Sequence, residues 1–308
     1  MVIVVGSSKV SGCVSFGTHN GIFHCDEVVG IAILELMAFG TDVCVVRTRD
    51  PEELKTLDVV IDVGGGKFDH HMAGFNRCRP TGEKYASAGL VWKAFGKQVI
   101  LNIAKELEVI IDDEDVDRII EEIDREVIIP VDMEDNGEGT ESHVFSFVPK
   151  FLPTWMEEPD YDEAFYMIET IASMIFEEIV KEKIVKVVTQ SELQRRFEKI
   201  ENGILEIPAQ TMPWVEEVVR YNEAQGYAVK FVIFPYPGGG WAAQSVPPAM
   251  DRKFAQLVPF PKEWAGGNEE TLPAISGIHD ATFCHNGRFF ARAKTRESVV
   301  EMCRIAME

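Results

Sequence analysis

The chain is expected to be an α/β protein. The expected architecture is a parallel-sheet domain with helices on both faces, a helical connector, and a smaller α+β carboxyl-terminal domain. Three features of the 308 residues predict it. Val- and Ile-rich runs alternate with helix-periodic segments in the first third, the middle is helical and acidic, and short strand-like runs follow residue 204. This pattern assigns residues 1–190 to a first domain with its connector and 195–308 to a second.

Taken in order, Cys13–Phe16 reads as a strand and Asp26–Phe39 as a helix with Asp26 available as its N-cap. Asp42–Thr48 is a strand, Pro51–Lys55 a short helix, and Leu57–Val63 a buried strand closed by Gly64, Gly65 and Gly66. Ser87–Phe95 and Val99–Asp124 read as helices. The second has Ile110, Ile111, Ile119, Ile120 and Ile123 as its apolar face. A loop with Pro and Trp, Val148–Trp155, precedes helices over 162–187 and 190–201. Strands are expected at 204–207, 227–234, 241–246, 281–284 and 288–293, with a closing helix from Glu297 to Met307.

Composition excludes several classes. With 30 basic and 51 acidic residues the formal charge is −21, which rules out a broad basic surface that binds polyanions by counterion release. No EF-hand loop occurs, so calcium buffering has no motif behind it. The longest apolar stretch, Val28–Phe39, is too short to span a bilayer and is broken by Glu35, so no membrane association is expected. The first ten residues place no charged segment before their apolar ones, as an export signal would. The six cysteines form no C-x-x-C pair and read as reduced, mostly buried thiols of a cytoplasmic protein.

Chemistry concentrates early in the chain. Four of the seven histidines fall between positions 19 and 71, each near an aspartate: His19, His24 and Asp26, then Asp62, then Asp69, His70 and His71. Asp132 and Asp135 follow, the latter before Asn136 and Gly137. Singly, such residues are ordinary: a histidine packs in a core, and a strand-end aspartate caps a turn. Together, imidazole and carboxylate are the donors that suit Mg²⁺ and first-row divalent ions. Three loops would carry them to the carboxyl edge of a parallel sheet, where ligands bind. Without a thiolate quartet a closed structural zinc site is not expected, and without a Walker or dinucleotide glycine pattern the glycine runs read as turns.

Asp69-His70-His71 behind the strand-end Asp62 resembles the DHH phosphoesterase superfamily. More closely, the run from Gly17 to Glu27 (GTHNGIFHCDE) is similar to the signature of the Myg-one family. Supporting matches are Val46–Asp50, Val60–Gly65, Ser87–Leu90, Val131–Gly137, Pro153–Trp155, Trp241–Pro247 and Phe283–Arg288, so the resemblance covers roughly residues 14 to 306. Ile22 and Met72 depart from the usual pattern, where a small hydroxyl residue and a glutamine are common.

The resemblance implies two divalent cations, Mn²⁺ or Mg²⁺, bridged by Asp62. It implies His19 and His24 on one, and Asp26, His70 and either Asp132 or Asp135 on the other, with Asp135 preferred. Asp69 would orient an imidazole and His71 would face the substrate. The implied activity is a 3′–5′ exonuclease on single-stranded RNA or short oligonucleotides, with Arg77, Lys84, Arg288 and Lys294 as substrate-binding cations. Phe75, Tyr85, Trp241 and Phe289 could stack on bases, although core packing is the commoner use of such rings. The same centre could serve a phosphatase for pyrophosphate, phosphoadenosine phosphate or a cyclic dinucleotide, or stabilise a non-catalytic binding protein. A peptidase has neither H-E-x-x-H nor a nucleophile elbow behind it. The charge distribution agrees: residues 106–126 hold eleven acids and two bases, and 157–169 six acids. Residues 67–97 hold six bases against two acids, and 285–296 four bases against none.

Overall fold

Four strands pair in parallel in the first part of the chain: β1 (Ile3–Gly6), β2 (Val14–Thr18), β3 (Val43–Arg47) and β4 (Val59–Val60), in the order β1-β3-β2-β4. The computed structural model describes residues 3–6, 12–139, 142–156, 158–252 and 255–308, with the backbone alone for 3–6. Two units make up the chain, Met1–Val185 and Lys186–Glu308. Every residue of β3 is buried, so neighbours cover both faces of the sheet, as uninterrupted Val-rich runs demand.

Helix α1 (Cys25–Met37) joins β2 to β3, and α2 (Pro51–Leu54), capped by Asp50, leads to β4. Helix α3 (Ser87–Glu106) packs along α1 and runs straight through Gly96, whose missing Cβ leaves room for the Trp92 indole. The two helices expected over 87–95 and 99–124 therefore divide elsewhere. Glu108 takes a positive φ of 56°, and α4 (Asp113–Ile123) starts afresh with Asp112 accepting from the Asp115 amide at 2.8 Å. Ile110 falls in this break and is fully exposed instead of lying on an apolar face. A π-turn, Asp124–Ile128, continues into α5 (Ile129–Asp135).

The strand expected over 57–63 shrinks to two residues because the chain turns at once: Ile61 bridges to Phe68 and Asp62 adopts a φ of 60°. The helices expected at 162–187 and 190–201 are one, α6 (Tyr161–Phe197), since no breaker separates them. Its buried stripe includes Phe165, Ile168, Ala172 and Phe176, the last edge-on to Trp92 at 5.5 Å.

The second unit holds β5 (Ile204–Glu206), α7 (Val215–Gln225), β6 (Phe231–Pro235), β7 (Trp241–Ser245), α8 (Leu272–Ser276), β8 (Ala281–Cys284), β9 (Phe290–Ala293) and α9 (Arg296–Met307). Its sheet, β5-β6-β7-β9-β8, is parallel at β5–β6 and antiparallel beyond. Alternation along the strands feeds two cores. Phe231, Ile233 and Ala243 meet Val299 and Met302 of α9 on one side, while Val232, Phe234 and Ala242 meet Trp214 and Val218 on the other. Sequence reading missed β1, α5, α7 and α8. The spacing of Val215, Val218, Val219 and Asn222 with Gly226 at the αL end was a usable signal for α7. No helix among the described residues is long and apolar enough to cross a membrane.

Glu35 of α1 and Glu169 of α6 lie beside each other and are wholly buried. Burial raises both pKa values, and Glu35 raises that of Glu169 further, so the pair keeps a proton. A folded-state pKa raised above the unfolded 4.5 opposes folding increasingly as pH climbs past 4.5. Glu169→Gln should therefore raise the melting temperature, by the equivalent of about 1–3 kcal/mol, and more at pH 8 than at pH 5. Calorimetric melts of both proteins check this; a variant that melts lower at both pH values refutes the shared proton.

Candidate metal centre

The loop from His19 to His24 follows β2 and ends on the first turn of α1. His24, not Asp26, is the N-cap: its amide donates to both Glu27 carboxylate oxygens at 2.8 Å, the reaching-back arm of a capping box. Asp26 is instead buried behind the helix start and accepts from the Ser87 amide at 3.2 Å. The Ser87 hydroxyl donates to Asp62 Oδ1 at 2.9 Å, so the electropositive start of α3 serves two carboxylates.

Asp62 is the hub. His70 Nε2 and His71 Nδ1 each lie 3.3 Å from its Oδ1, and His19 Nε2 lies 3.2 Å from its Oδ2. Its left-handed backbone turns the carboxyl back toward these rings, and Gly65, with a φ of 73°, completes the turn. Asp69 ties that turn together, accepting from the Gly65 amide at 2.7 Å and the His71 amide at 2.9 Å. Its Oδ1 also lies 3.2 Å from His71 Nδ1. His70 Nε2 further approaches Asp135 at 3.1 Å and Asp26 at 3.9 Å.

His19, His24, Asp26, Asp62, His70, His71 and Asp135 thus come together, and Asp69 braces them from the side. Asp132, one turn earlier on α5, stands apart: it pairs with Arg79 at 2.8 Å and accepts from the Gly89 amide at 2.9 Å. Glu27 was missed by sequence reading, although an acid three residues beyond a helix start is a known signal. Its carboxylate lies 3.1 Å from His19 Nε2. Also unforeseen, Glu134 and His143 are in contact and form a further group of potential donors with Cys25.

The donors interlock around shared residues: His19, His24, Glu27 and Asp62; Asp62, His70 and His71; His24, Asp26 and Asp135. Within each group the donor atoms lie within 4.8 Å of one another. Asp26 Oδ1, Asp62 Oδ2 and His70 Nε2 are buried without a well-formed hydrogen bond, an arrangement that suits divalent cations. His71 and His24 are exposed, and with Phe23, Asp135 and Pro149 they line a cavity of about 320 Å³ over the cluster.

Two arginines brace the cluster from outside. Buried Arg47 donates to the Gly21 carbonyl at 2.7 Å and to Asp162 at 2.7 Å, with its guanidinium 4.5 Å from the Phe165 ring centre. It fixes the His19–His24 loop against the start of α6. Arg79 grips Asp124 twice at 2.7 Å and also holds Asp132, clamping the π-turn. A Cβ on Gly89 would fall 2.0 Å from Asp132 Oδ2, so only glycine fits there.

Of the expected substrate-binding cations, Arg77 is exposed beside the Phe75 ring, whereas Lys84 pairs with Glu138 at 2.7 Å. In the second unit Arg288 donates to the Phe260 carbonyl at 3.2 Å, and Lys294 is exposed. Tyr85 is buried and covered by Arg79 and Lys93, so it packs in the core; Phe75, Trp241 and Phe289 are half-buried.

Burial opposes the charged form of His19 and His70, but Asp62 with Glu27, and Asp135 with Asp62, outweigh it and raise each from 6.5 to about 10. Burial would likewise raise the Asp62 pKa, yet hydrogen bonds from His19, His70 and His71 hold it below its ordinary value. Asp26 is pushed up by burial and then by Asp62, Asp135 and Glu27. In chelator, raised histidine pKa values contribute stability fully below pH 6.5 that is lost as pH rises toward 10. The melting temperature of the chelated protein should therefore fall across that range. Mn²⁺ affinity should rise over it, with proton release on binding, because a cation competes with those protons. Parallel melts and titration calorimetry test both trends; a Mn²⁺ affinity independent of pH contradicts the assignment. Gly89→Ala should cost about 2–4 kcal/mol of stability, read from denaturant midpoints, by forcing Asp132 and Arg79 apart.

The model of the MYG1 exonuclease family, described as "Uncharacterised protein family (UPF0160)", matches residues 15–307. The MYG1 exonuclease of Homo sapiens is 30% identical to this chain, over 97% of this chain and 87% of that protein. The MYG1 protein of Chlamydia trachomatis is 28% identical, over 96% of each. Among solved structures, RecJ of Thermus thermophilus in complex with Mn²⁺ is 14% identical, over 96% of this chain and 51% of that one, with a TM-score of 0.26. A second, exonuclease RecJ bound to manganese, is 14% identical over 96% and 89%, with a TM-score of 0.28. Likeness that slight carries no weight for fold or site.

Proposed function

This chain belongs to the MYG1 exonuclease family (UPF0160), and from that premise we propose that it is a metal-dependent phosphodiesterase. The reading is a 3′–5′ exonuclease on single-stranded RNA or short oligonucleotides. The observation that carries it is the convergence of Asp26, Asp62 and Asp135 with four imidazoles beneath one open cavity. Relatives named exonucleases support the reaction class.

In this reading two cations are held, one by His19, His24 and Asp62 with Glu27 alongside, the other by Asp26, Asp62, His70 and Asp135. Bound there, Mn²⁺ or Mg²⁺ would polarise the phosphoryl oxygens and acidify the attacking water. The protein's own contribution is positional. Asp62 lies between the two donor sets at a backbone conformation that costs energy and fixes its direction. His71 stands in the cavity mouth, steered by Asp69 and Asp62, where its ring can donate to a phosphoryl or leaving oxygen. Asp69 is a positioning residue. The first unit carries the chemistry.

Asp62→Asn should abolish turnover, by roughly four orders of magnitude, and lower Mn²⁺ affinity at least tenfold. His71→Ala should lower kcat about a hundredfold while Mn²⁺ affinity stays near that of the native protein. The assay sets a labelled oligonucleotide ladder, blocked in turn at its 3′ and 5′ ends, against pyrophosphate, phosphoadenosine phosphate and a cyclic dinucleotide. A 3′ block should stop digestion. Cleavage of the small substrates alone would make the protein a phosphatase, and no cleavage of any phosphoester would leave only a metal-stabilised binding role.

A further inference from the structure

Lys67, Arg77 and Lys93 line one cavity of about 470 Å³ in the first unit, on a floor that includes Phe68 and Tyr85, with no acidic residue in its walls. Each cation rests on an aromatic face: Lys67 at 4.9 Å from the Phe68 ring centre, Lys93 at 4.9 Å from Tyr85, and Arg77 at 6.0 Å from Phe75. None of the three has a carboxylate partner among the described residues, although Lys84, Lys97 and Arg79 nearby all do. In a chain with a formal charge of −21, three cations sharing one cavity without an acid is the reverse of the average environment. Cation–π contacts hold the groups in place but leave their charge unneutralised. The missing component is an anion.

The cavity is tied to the metal centre through one short segment. Lys67 and Phe68 immediately precede Asp69, His70 and His71, and the Phe75 ring stands edge-on to His70 at 6.3 Å while carrying Arg77 on its face. The walls of the metal cavity itself include His24, His71, Glu134 and Asp135 but neither lysine nor arginine. Phosphates of a strand beyond the scissile one would find no cationic side chain there. The next cavity along the same segment supplies three.

We propose that this cavity is a phosphate subsite that holds the backbone of a single-stranded oligonucleotide next to the bond being cut. The inference rests on the nuclease reading and assigns that reading its strand-holding residues. Phe68 and Tyr85 are buried under their cations, so the subsite grips phosphates and does not stack bases, and it is indifferent to sequence.

The test measures binding, not turnover, in chelator. Fluorescence anisotropy of a labelled short oligouridylate is followed with the 308-residue chain and two triple variants. One is Lys67→Gln/Arg77→Gln/Lys93→Gln; the other is a charge-matched control, Lys55→Gln/Lys97→Gln/Lys105→Gln. The first should lose roughly tenfold or more in affinity at low salt, and its salt slope should drop by about 2. The control should bind like the native protein. No oligonucleotide binding by the native protein, or equal losses in both variants, overturns the proposal. A second measurement needs no substitution: Cys78 is an exposed free thiol in the cavity wall, and bound oligouridylate should slow its modification by a thiol reagent severalfold. Unchanged Cys78 reactivity also overturns it. If protection and charge-specific binding occur but no phosphodiester is ever cleaved, the nuclease reading fails and the subsite stands. If oligonucleotides are cleaved while the first triple variant binds them normally, the reverse holds.

Discussion

Four carboxylates, those of Asp26, Glu27, Asp62 and Asp135, are gathered in a space from which water is almost excluded, and their repulsion is the constraint around which the first unit is organised. Each has been given a partial answer. Glu27 takes the amide at the start of α1, Asp26 and Asp62 take groups from the first turn of α3, and the imidazoles of His19, His70 and His71 surround Asp62. The answers do not suffice for Asp26, whose pKa stays raised by burial and by its acidic neighbours. Carboxylates held this close are the chemical basis of the cation site proposed above.

The surrounding fold reads as support for that charge. The parallel strands deliver His19 and Asp62 at their carboxyl ends, and α1 and α3 aim their electropositive starts at the same point. Arg47 and Arg79 stay out of the cluster, yet both are buried and both fasten the segments that carry its members. Removing Arg79 would leave buried Asp132 without its cation, and removing Arg47 would free the Gly21 carbonyl and loosen the His19–His24 loop, so their influence on the cluster is positional. Gly89 is part of the same bracing, since the Asp132–Arg79 pair occupies the space a side chain would need.

Acidity and the proposed nucleic-acid binding are compatible because the charges are sorted. Most acids of the helical region are solvated or paired on their own helices, as Asp115 with Arg118 and Glu177 with Lys181. Beside the candidate metal centre, Lys67, Arg77 and Lys93 instead rest on aromatic rings and line one cavity with no carboxylate in its walls. A strand repelled by the average surface would still find a local well beside the proposed catalytic cluster, with an on-rate that depends strongly on salt.

The sequence alone determined what is local. Hydrophobic runs marked most strands, and the histidine–aspartate spacing from His19 to His71 marked the donors, because alternation and short-range order are written along the chain. Strand-end position pointed to one edge of the sheet for the same reason. What depends on distant segments meeting was decided only by tertiary structure. Asp135 joins the cluster and Asp132 does not, because Arg79 and the Gly89 amide claim Asp132 from 53 and 43 positions away. Glu27 enters because the helix begins one residue earlier than the apolar pattern suggests, which makes His24 the cap. Lys84 is withdrawn by Glu138, and Lys67 and Lys93 come to share a cavity with Arg77. Residue type specifies what a side chain can bind; which partner it meets is set by packing between segments, and periodicity carries no record of that.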